Sequence, residues 1–407
     1  MTDLNTPLAL LGGMTAQTFL DHYWQKKPLL IRGGLVDFTL PLEADELAGM
    51  TMEEEIESRI VIEHGKTPWE TKQGPFNEET FANLPEQEWT LLVQAVDHWV
   101  PEIQALKERF QFLPSWRLDD VMASYATTGG SVGPHYDQYD VFLVQVSGRR
   151  RWQVLAPDEY QDSAIQDIKL HILDNFPVNA DMDWELETGD ILYLPPNFAH
   201  NGRALDDDCI TYSVGFRAPS MQDVLTGIRD KLCENEDAKD RFAAPETSAR
   251  QHSAHISQDD IHYLQAQLSR LINQPDQLAQ WLGETMSESK YPEFLSPLNQ
   301  QDVDQAFNNA QQGHTFVRPG DARICYYVQE TNLEHANAEE GEIRVFCNGE
   351  HQLVDAELIG FVEAVCHQVE FDLSGLDWSK NDELEPLVRF FIQQQGLIEL
   401  TATEDDD

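Results

Sequence analysis

The stretch GSVGPHYDQYDVF, residues 130–142, decides how the rest of the chain is interpreted. It begins with turn-forming residues, contains the triplet His135-Tyr136-Asp137 and ends in an apolar run. Alternate side chains of an extended chain point to the same side, so His135 and Asp137 can reach one metal ion. One such triplet is expected by chance in a chain with 13 histidines and many aspartates, so the surrounding sequence must decide its meaning.

A second histidine ends the stretch TGDILYLPPNFAH, residues 188–200. This pattern predicts a tight turn, an apolar strand and a rigid Pro-Pro corner that delivers His200. Two histidines and one aspartate, without a thiolate, form the facial triad that is typical of non-haem Fe(II) oxygenases and leaves three coordination positions open. The alternative for His200 is a turn histidine that bonds only to the backbone.

A cationic side chain is predicted to point into the same region. In the strand RRRWQVL, residues 149–155, period-2 alternation places Arg150 on the face of the apolar Trp152 and Val154. A buried guanidinium needs an anionic partner, because its burial without one is costly. A dicarboxylate cosubstrate on the metal could be that partner, and an internal salt bridge is the alternative.

The remaining sequence predicts three successive regions. Residues 1–219 predict a mainly β core with an N-terminal α/β extension, because short β-like runs are separated by Gly, Pro and Asp clusters, as in an antiparallel sandwich or barrel. Residues 220–297 predict helices, one of which begins at a capping box at Ser257 and carries an apolar stripe for core packing or a second subunit. Residues 298–407 predict helices and a hairpin at Asn348-Gly349, which together resemble a winged helix. The clearest predicted strands cover residues 141–146, 150–155, 190–194 and 210–216.

The composition limits the possible partners. The chain has 27 Lys and Arg against 72 Asp and Glu, and its formal charge of −45 repels nucleic acid. This charge favours a basic partner, or it serves solubility alone. No segment approaches the roughly 18 apolar residues that a membrane span needs. Five widely spread cysteines without a C-x-x-C pair predict reduced thiols, and we expect a cytoplasmic protein.

The motifs resemble those of a known family. His135-x-Asp137, Arg150 and His200 at these spacings look like the metal and cosubstrate residues of the JmjC-type 2-oxoglutarate oxygenases. The resemblance implies a double-stranded β-helix of the cupin or jelly-roll type as catalytic core, a helical dimerisation region and a winged-helix-like C-terminal domain. Ser131 departs from the family pattern, in which a glycine is expected. Three stretches resemble, more narrowly, bacterial ribosomal oxygenases of the YcfD type: GPHYDQYDVF (133–142), GRRRW (148–152) and YSVGFRAP (212–219).

The resemblance also implies an activity and its partners. The implied reaction is hydroxylation at the β-carbon of one arginine in large-subunit ribosomal protein sixteen, which consumes O2 and releases succinate and CO2. By this resemblance Fe(II) would be bound by His135, Asp137 and His200, and 2-oxoglutarate by Arg150. A basic ribosomal substrate and a homodimer are implied, without direct nucleic acid or membrane contact. The implied substrate pocket consists of Asp120, Met122, Tyr139 and Ser213.

Two other functions are compatible with the sequence. The same chemistry could hydroxylate histidine or asparagine in another protein, or demethylate lysine. A carboxylate at Asp120 favours a cationic target, because a neutral one would leave it unpaired. A non-catalytic metal-binding cupin would bind iron without consuming 2-oxoglutarate, so turnover with a basic peptide separates these possibilities.

Overall fold

The computed structural model describes residues 5–64, 68–165, 170–234, 239, 241–242, 254–296, 298–328, 341–379 and 381–400. The chain divides into two units, Met1–Ala218 and Pro219–Asp407. The boundaries of the three domains expected from the sequence stay a prediction.

Strands dominate the described part of the first unit. Its helices are Ala16–His22 (α1), Ala44–Met50 (α2), Glu78–Ala82 (α3) and Pro101–Glu108 (α4), with short 3-10 turns at Ala9–Leu11, Val96–His98, Ser115–Arg117 and Ala180–Met182. Its strands are Pro7–Leu8 (β1), Met14–Thr15 (β2), Leu29–Ile31 (β3), Ser58–His64 (β4), Pro68–Gln73 (β5), Trp89–Val93 (β6), Leu118–Ala126 (β7), Val141–Ser147 (β8), Arg150–Leu155 (β9), Asp183–Leu186 (β10), Ile191–Leu194 (β11), Ala199–Ala204 (β12) and Cys209–Phe216 (β13).

Two antiparallel sheets form the catalytic core expected from the sequence. The large sheet has the order β3-β11-β8-β13-β7-β6-β4-β5, and the small sheet has the order β10-β9-β12. Apolar side chains from both sheets meet in one buried cluster, as the two faces of a double-stranded β-helix require. The predicted strands at 141–146, 150–155, 190–194 and 210–216 are confirmed as β8, β9, β11 and β13. The cluster contains Val141, Leu143, Trp152, Val154, Leu186, Leu192 and Leu194.

The opposite face of the large sheet forms the main core of this unit. The ring of Phe19 from α1 lies 5.6 Å from that of Phe142 and 4.9 Å from that of Tyr193. The Tyr193 hydroxyl donates to Asp140 Oδ1 at 2.6 Å, and Gln25 Nε2 donates to Asp140 Oδ2 at 3.0 Å. The buried Asp140 therefore fixes the C-terminal end of the histidine-aspartate stretch to the core.

The described part of the second unit contains helices and two small three-stranded sheets. The capping box at Ser257 is confirmed, and Asn348 and Gly349 have φ angles of 49° and 89° in the predicted hairpin between two strands. Its helices are Met221–Cys233 (α5), Gln258–Ile272 (α6), Pro275–Ser287 (α7), Gln300–Gln311 (α8), Ile359–His367 (α9) and Leu384–Gln393 (α10). Its strands are Thr315–Val317 (β14), Ile324–Val328 (β15), Glu342–Cys347 (β16), Glu350–Asp355 (β17), Glu370–Asp372 (β18) and Ile398–Glu399 (β19). They form the sheets β15-β16-β17 and β18-β14-β19.

The apolar stripe of α6 is not part of a core in the described structure. Four of its apolar side chains are exposed: Ile261 and Leu264 by 41% each, Leu268 by 51% and Ile272 by 53%. None of the described helices combines the length and the apolar character needed to cross a bilayer.

The close approach of β12 to β9 depends on Gly202. A Cβ at this position would lie 2.5 Å from the indole ring of Trp152, which is buried between the sheets. We expect Gly202→Ala to lower the free energy of unfolding by about 1–3 kcal/mol, because β12 or the indole must shift. Equilibrium unfolding in urea measures this change.

Gly49→Ala is the matched control for this substitution. Gly49 lies in α2, and a Cβ there would meet no other atom within 4 Å. We expect this variant to be unchanged or stabilised by up to about 1 kcal/mol, because alanine has the higher helix propensity. Equal stability of the two variants would contradict the packing described for β12.

Candidate metal centre

A backbone bridge joins the two histidines of the predicted triad. The His135 amide donates to the His200 carbonyl at 3.0 Å, and the His200 amide donates to the His135 carbonyl at 2.7 Å. His200 lies in β12, whereas His135 lies in the extended segment before β8. The imidazole rings of this pair have centroids 4.4 Å apart.

The loop around Asn197 holds the third residue in place. Pro195 and Pro196 end β11, and Asn197 follows in the left-handed region with a φ of 64°. The Asn197 amide donates to the Asp137 carbonyl at 2.7 Å, so the Pro-Pro corner is tied to the histidine-aspartate stretch. The positions of Asp137 and of His200 therefore both depend on the turn at residues 195–197.

One ligand atom from each of His135, Asp137 and His200 lies within 4.8 Å of the other two. His200 Nε2 is 3.8 Å from Asp137 Oδ2. The other ring nitrogens face backbone carbonyls, His135 Nδ1 at 2.9 Å from Gly133 O and His200 Nδ1 at 3.0 Å from Phe198 O. If Nδ1 donates in both rings, Nε2 is left to coordinate a metal, which is the usual orientation of metal-binding histidines.

Burial keeps His200 in the form that binds metals. Its desolvation, together with the neighbouring His135, lowers the pKa of His200 to about 4, although the carboxylate of Asp137 opposes this shift. The ring is therefore neutral at physiological pH and offers a lone pair. Two imidazole nitrogens and a carboxylate oxygen are a donor set that suits Fe(II).

The predicted inward direction of Arg150 is confirmed. Arg150 is only 3% exposed, and its guanidinium lies 5.7 Å from the ring of Trp152. The Trp152 ring in turn lies 5.7 Å from the ring of His200. The adjacent Arg149 and Arg151 are exposed, as expected from the alternation, and form ion pairs with Asp206 and Asp183.

No carboxylate of the described residues pairs with Arg150. Its Nε donates to Cys209 Sγ at 3.4 Å, and its buried Nη2 has no hydrogen-bond partner in the described structure. The internal salt bridge considered from the sequence is therefore absent there. A buried cation with an unused donor fits the far carboxylate of a metal-bound dicarboxylate.

Sequence reasoning missed the polar residues around this guanidinium. Gln145 is fully buried, donates to Cys209 Sγ at 3.4 Å and accepts a hydrogen bond from the Thr211 hydroxyl at 2.9 Å. The available signal was a glutamine in β8 at the alternation of the inward-facing Val141 and Leu143. These side chains make the space between the sheets polar beside Arg150.

Three residues of the implied substrate pocket, Asp120, Met122 and Ser213, lie in the large sheet, and Tyr139 lies in the segment before β8. Met122 in β7 and Ser213 in β13 are direct partners in the register. Asp120 lies two residues before Met122, is 4% exposed, and accepts from Gln94 Nε2 at 2.7 Å. Tyr139 is 42% exposed, and burial together with the carboxylates of Asp137 and Asp120 raises its pKa.

Ser131, which departs from the family pattern, has a structural role. It is fully buried, and its Oγ accepts a hydrogen bond from the Gly133 amide at 3.0 Å. The same Oγ lies 3.1 Å from Asn201 Oδ1, next to His200. The serine thus links the turn before His135 to β12.

Comparison with known proteins agrees with this geometry. The sequence matches the JmjC domain family over residues 105–224 and the ROXA-like winged helix family over residues 270–394. It is 39% identical over 307 residues to ribosomal protein uL16 3-hydroxylase of Escherichia coli (strain K12), covering 75% of this chain and 80% of that protein. The chain belongs to the JmjC ribosomal oxygenases.

Other ribosomal oxygenases resemble the chain in sequence and in structure. A probable ribosomal oxygenase of Haemophilus influenzae is 40% identical over 223 residues, 55% of this chain and 54% of that protein. The crystal structure of Escherichia coli YcfD superposes with a TM-score of 0.78 at 33% identity, covering 94% of this chain and 97% of YcfD. YcfD in complex with cobalt and 2-oxoglutarate gives a TM-score of 0.76 at the same identity, covering 94% and 97% of the two chains.

Removal of one carboxylate tests the metal centre. We expect Asp137→Ala to lower the affinity for Co(II) at least about a hundredfold, because an anionic ligand is lost. Isothermal titration calorimetry measures this affinity without any turnover. Asp158→Ala, which removes an exposed carboxylate after β9, is the matched control and should bind Co(II) like the unmodified chain. Unchanged affinity in Asp137→Ala, with an unchanged circular dichroism spectrum, would refute the assignment.

Proposed function

We propose that this chain is an Fe(II)- and 2-oxoglutarate-dependent hydroxylase that adds a hydroxyl group to the β-carbon of an arginine in ribosomal protein uL16. One observation carries this proposal: three convergent ligand atoms lie beside a buried arginine that no carboxylate of the described chain neutralises. The likeness to the E. coli uL16 3-hydroxylase supports the choice of substrate. Because that substrate is ribosomal, we place the reaction in the cytoplasm.

His135, Asp137 and His200 would hold the iron on one face and leave the opposite positions free for 2-oxoglutarate and O2. Bound iron and 2-oxoglutarate supply the oxidising power, with succinate and CO2 as co-products. Arg150 would bind the far carboxylate of 2-oxoglutarate through Nη2 and so fix the direction of the cosubstrate. The chain itself contributes position and a site with little water.

An acidic protein suits a basic substrate. The formal charge of −45 speeds the encounter with a ribosomal protein and disfavours nucleic acid. At the pocket, Asp120 would pair with the guanidinium of the substrate, and Met122 and Tyr139 would contact its aliphatic part. Ser213, on the strand next to Met122, would line the pocket wall. Asp120 is positioned for this role by the side chain of Gln94 and the amide of Ala95.

Incubation with Fe(II), 2-oxoglutarate and recombinant uL16 tests the proposal. We expect tandem mass spectrometry to detect the gain of one oxygen atom on one arginine, with an equal amount of succinate. Oxygen on a different residue type would contradict the arginine assignment. Metal binding without succinate formation would instead favour the non-catalytic cupin.

Replacing the buried arginine separates cosubstrate binding from general charge effects. We expect Arg150→Met to raise the KM for 2-oxoglutarate at least about thirtyfold, because the buried carboxylate would lose its charged partner. Arg151→Met removes the same charge one residue away, on the exposed face, and should leave this KM unchanged. Steady-state succinate assays give both values, and equal effects of the two substitutions would argue against a cosubstrate role for Arg150.

We further propose that α6 forms a homodimer interface. A helix with an apolar stripe in a soluble chain is expected to be covered, and the stripe of α6 is exposed in the described residues of a single chain. The helical region was assigned to dimerisation by family resemblance, and the exposure of Leu264 and Leu268 supports that assignment. A second copy would supply a matching apolar surface.

A charge introduced into the stripe should separate the copies. We expect Leu268→Glu to convert the dimer to a monomer at micromolar concentration, because the carboxylate would be buried without a partner. Ala266→Glu places the same charge on the opposite, exposed face of the same helix and should remain dimeric. Sedimentation equilibrium measures the mass of each variant. A monomeric unmodified chain would refute the proposal.

A further inference from the structure

A second arginine, Arg59, lies on the side of the large sheet that carries the substrate pocket. In the register, Arg59 of β4 is opposite Leu92 of β6, and Leu92 is opposite Ser124 of β7. Ser124 lies two residues from Met122, and side chains two apart on a strand share a face. Arg59 therefore faces the same side as Met122, two strands away.

Alternation along β4 supports this direction. Ile60 and Ile62 point to the main apolar core, whereas Arg59 and Glu63 point to the other side. Glu63 is already occupied, because Arg203 Nη1 donates to it at 2.6 Å. This carboxylate lies four residues along the strand from Arg59, roughly 13 Å away, and is engaged by another cation.

Arg59 lacks a partner of its own within the described structure. No hydrogen bond or ion pair of the described residues engages its side chain, and its buried Nε has no acceptor. This is unusual in a chain with 72 carboxylates and 27 Lys and Arg. Several other arginines of the first unit form ion pairs with carboxylates, namely Arg32, Arg149, Arg151, Arg203 and Arg217, and Arg109 donates to backbone carbonyls.

The chemistry of a protein substrate offers an acceptor for this group. Two strand spacings of about 4.8 Å separate Arg59 from β7, or roughly 10 Å in total. An extended peptide rises about 3.3 Å per residue, so this distance corresponds to about three residues from the side chain in the pocket. Main-chain carbonyls occur at every residue, whereas carboxylates are scarce in a basic segment.

We propose that Arg59 binds a main-chain carbonyl oxygen of the substrate, about three residues from the hydroxylated arginine. This inference rests on the proposed function and extends it to the selection of substrate length. Arg59 then explains how a pocket for one side chain distinguishes an extended protein segment from a free amino acid. The guanidinium is suited to this role because it offers several donors in a fixed plane.

Arg59→Gln tests the proposal with two peptides, one that extends five residues on each side of the target arginine and one that extends a single residue. We expect the variant to raise the KM for the long peptide about tenfold, because a charge-assisted hydrogen bond is lost. The KM for the short peptide and the KM for 2-oxoglutarate should not change. Arg149→Gln, which removes an exposed and paired arginine, is the matched charge control and should behave like the unmodified chain.

Each outcome has one meaning for Arg59. An equal rise in KM for both peptides would assign Arg59 a structural role and overturn the proposal. An unchanged KM for the long peptide would overturn it as well. If the unmodified chain hydroxylates neither peptide nor full-length uL16, the proposed function itself fails, which is distinguishable from a failure at Arg59 alone.

Discussion

Two backbone hydrogen bonds between His135 and His200 are the constraint on which the site depends. Each such bond contributes only about 0.5–1.5 kcal/mol net, so the bridge is effective because neighbouring contacts support it. Asn197 fixes Asp137, and Asp140 anchors the end of the stretch to Tyr193. Ligand atoms from two distant stretches of the chain are thereby held together by the protein's own contacts, which reduces the ordering that metal binding would require.

The electrostatics of the first unit follow from the same arrangement. A protein with a large excess of carboxylates keeps two arginines of its inner surface, Arg59 and Arg150, without a described carboxylate partner. Such cations are costly inside a folded chain unless a ligand completes them. We propose that the far carboxylate of 2-oxoglutarate is the acceptor for Arg150 and that a main-chain carbonyl of the substrate is the acceptor for Arg59. The unpaired positive charges thus lie where the cosubstrate carboxylate and the substrate carbonyl would bind. The excess of carboxylates elsewhere in the chain suits a basic protein substrate.

Much of this architecture could be predicted because local rules and tertiary structure agree. Period-2 alternation gave the direction of Arg150, and turn chemistry located the hairpin at Asn348-Gly349. Contacts between distant residues could not be predicted, because no local pattern encodes them. The contact of Cys209 with Arg150 depends on the register of two sheets, and the unpaired state of Arg59 depends on which side chains the fold brings to its face of the large sheet. The exposure of the α6 stripe could not be predicted either, because helical periodicity does not distinguish a helix that packs in a core from one that forms a subunit interface.

A crystal structure of the chain with Co(II) and 2-oxoglutarate, using anomalous diffraction, tests the central claim most directly. We expect one anomalous peak in contact with His135 Nε2, Asp137 and His200 Nε2, and a dicarboxylate whose far oxygens face Arg150 Nη2. A metal peak elsewhere, or a 2-oxoglutarate molecule whose far carboxylate points away from Arg150, would contradict it.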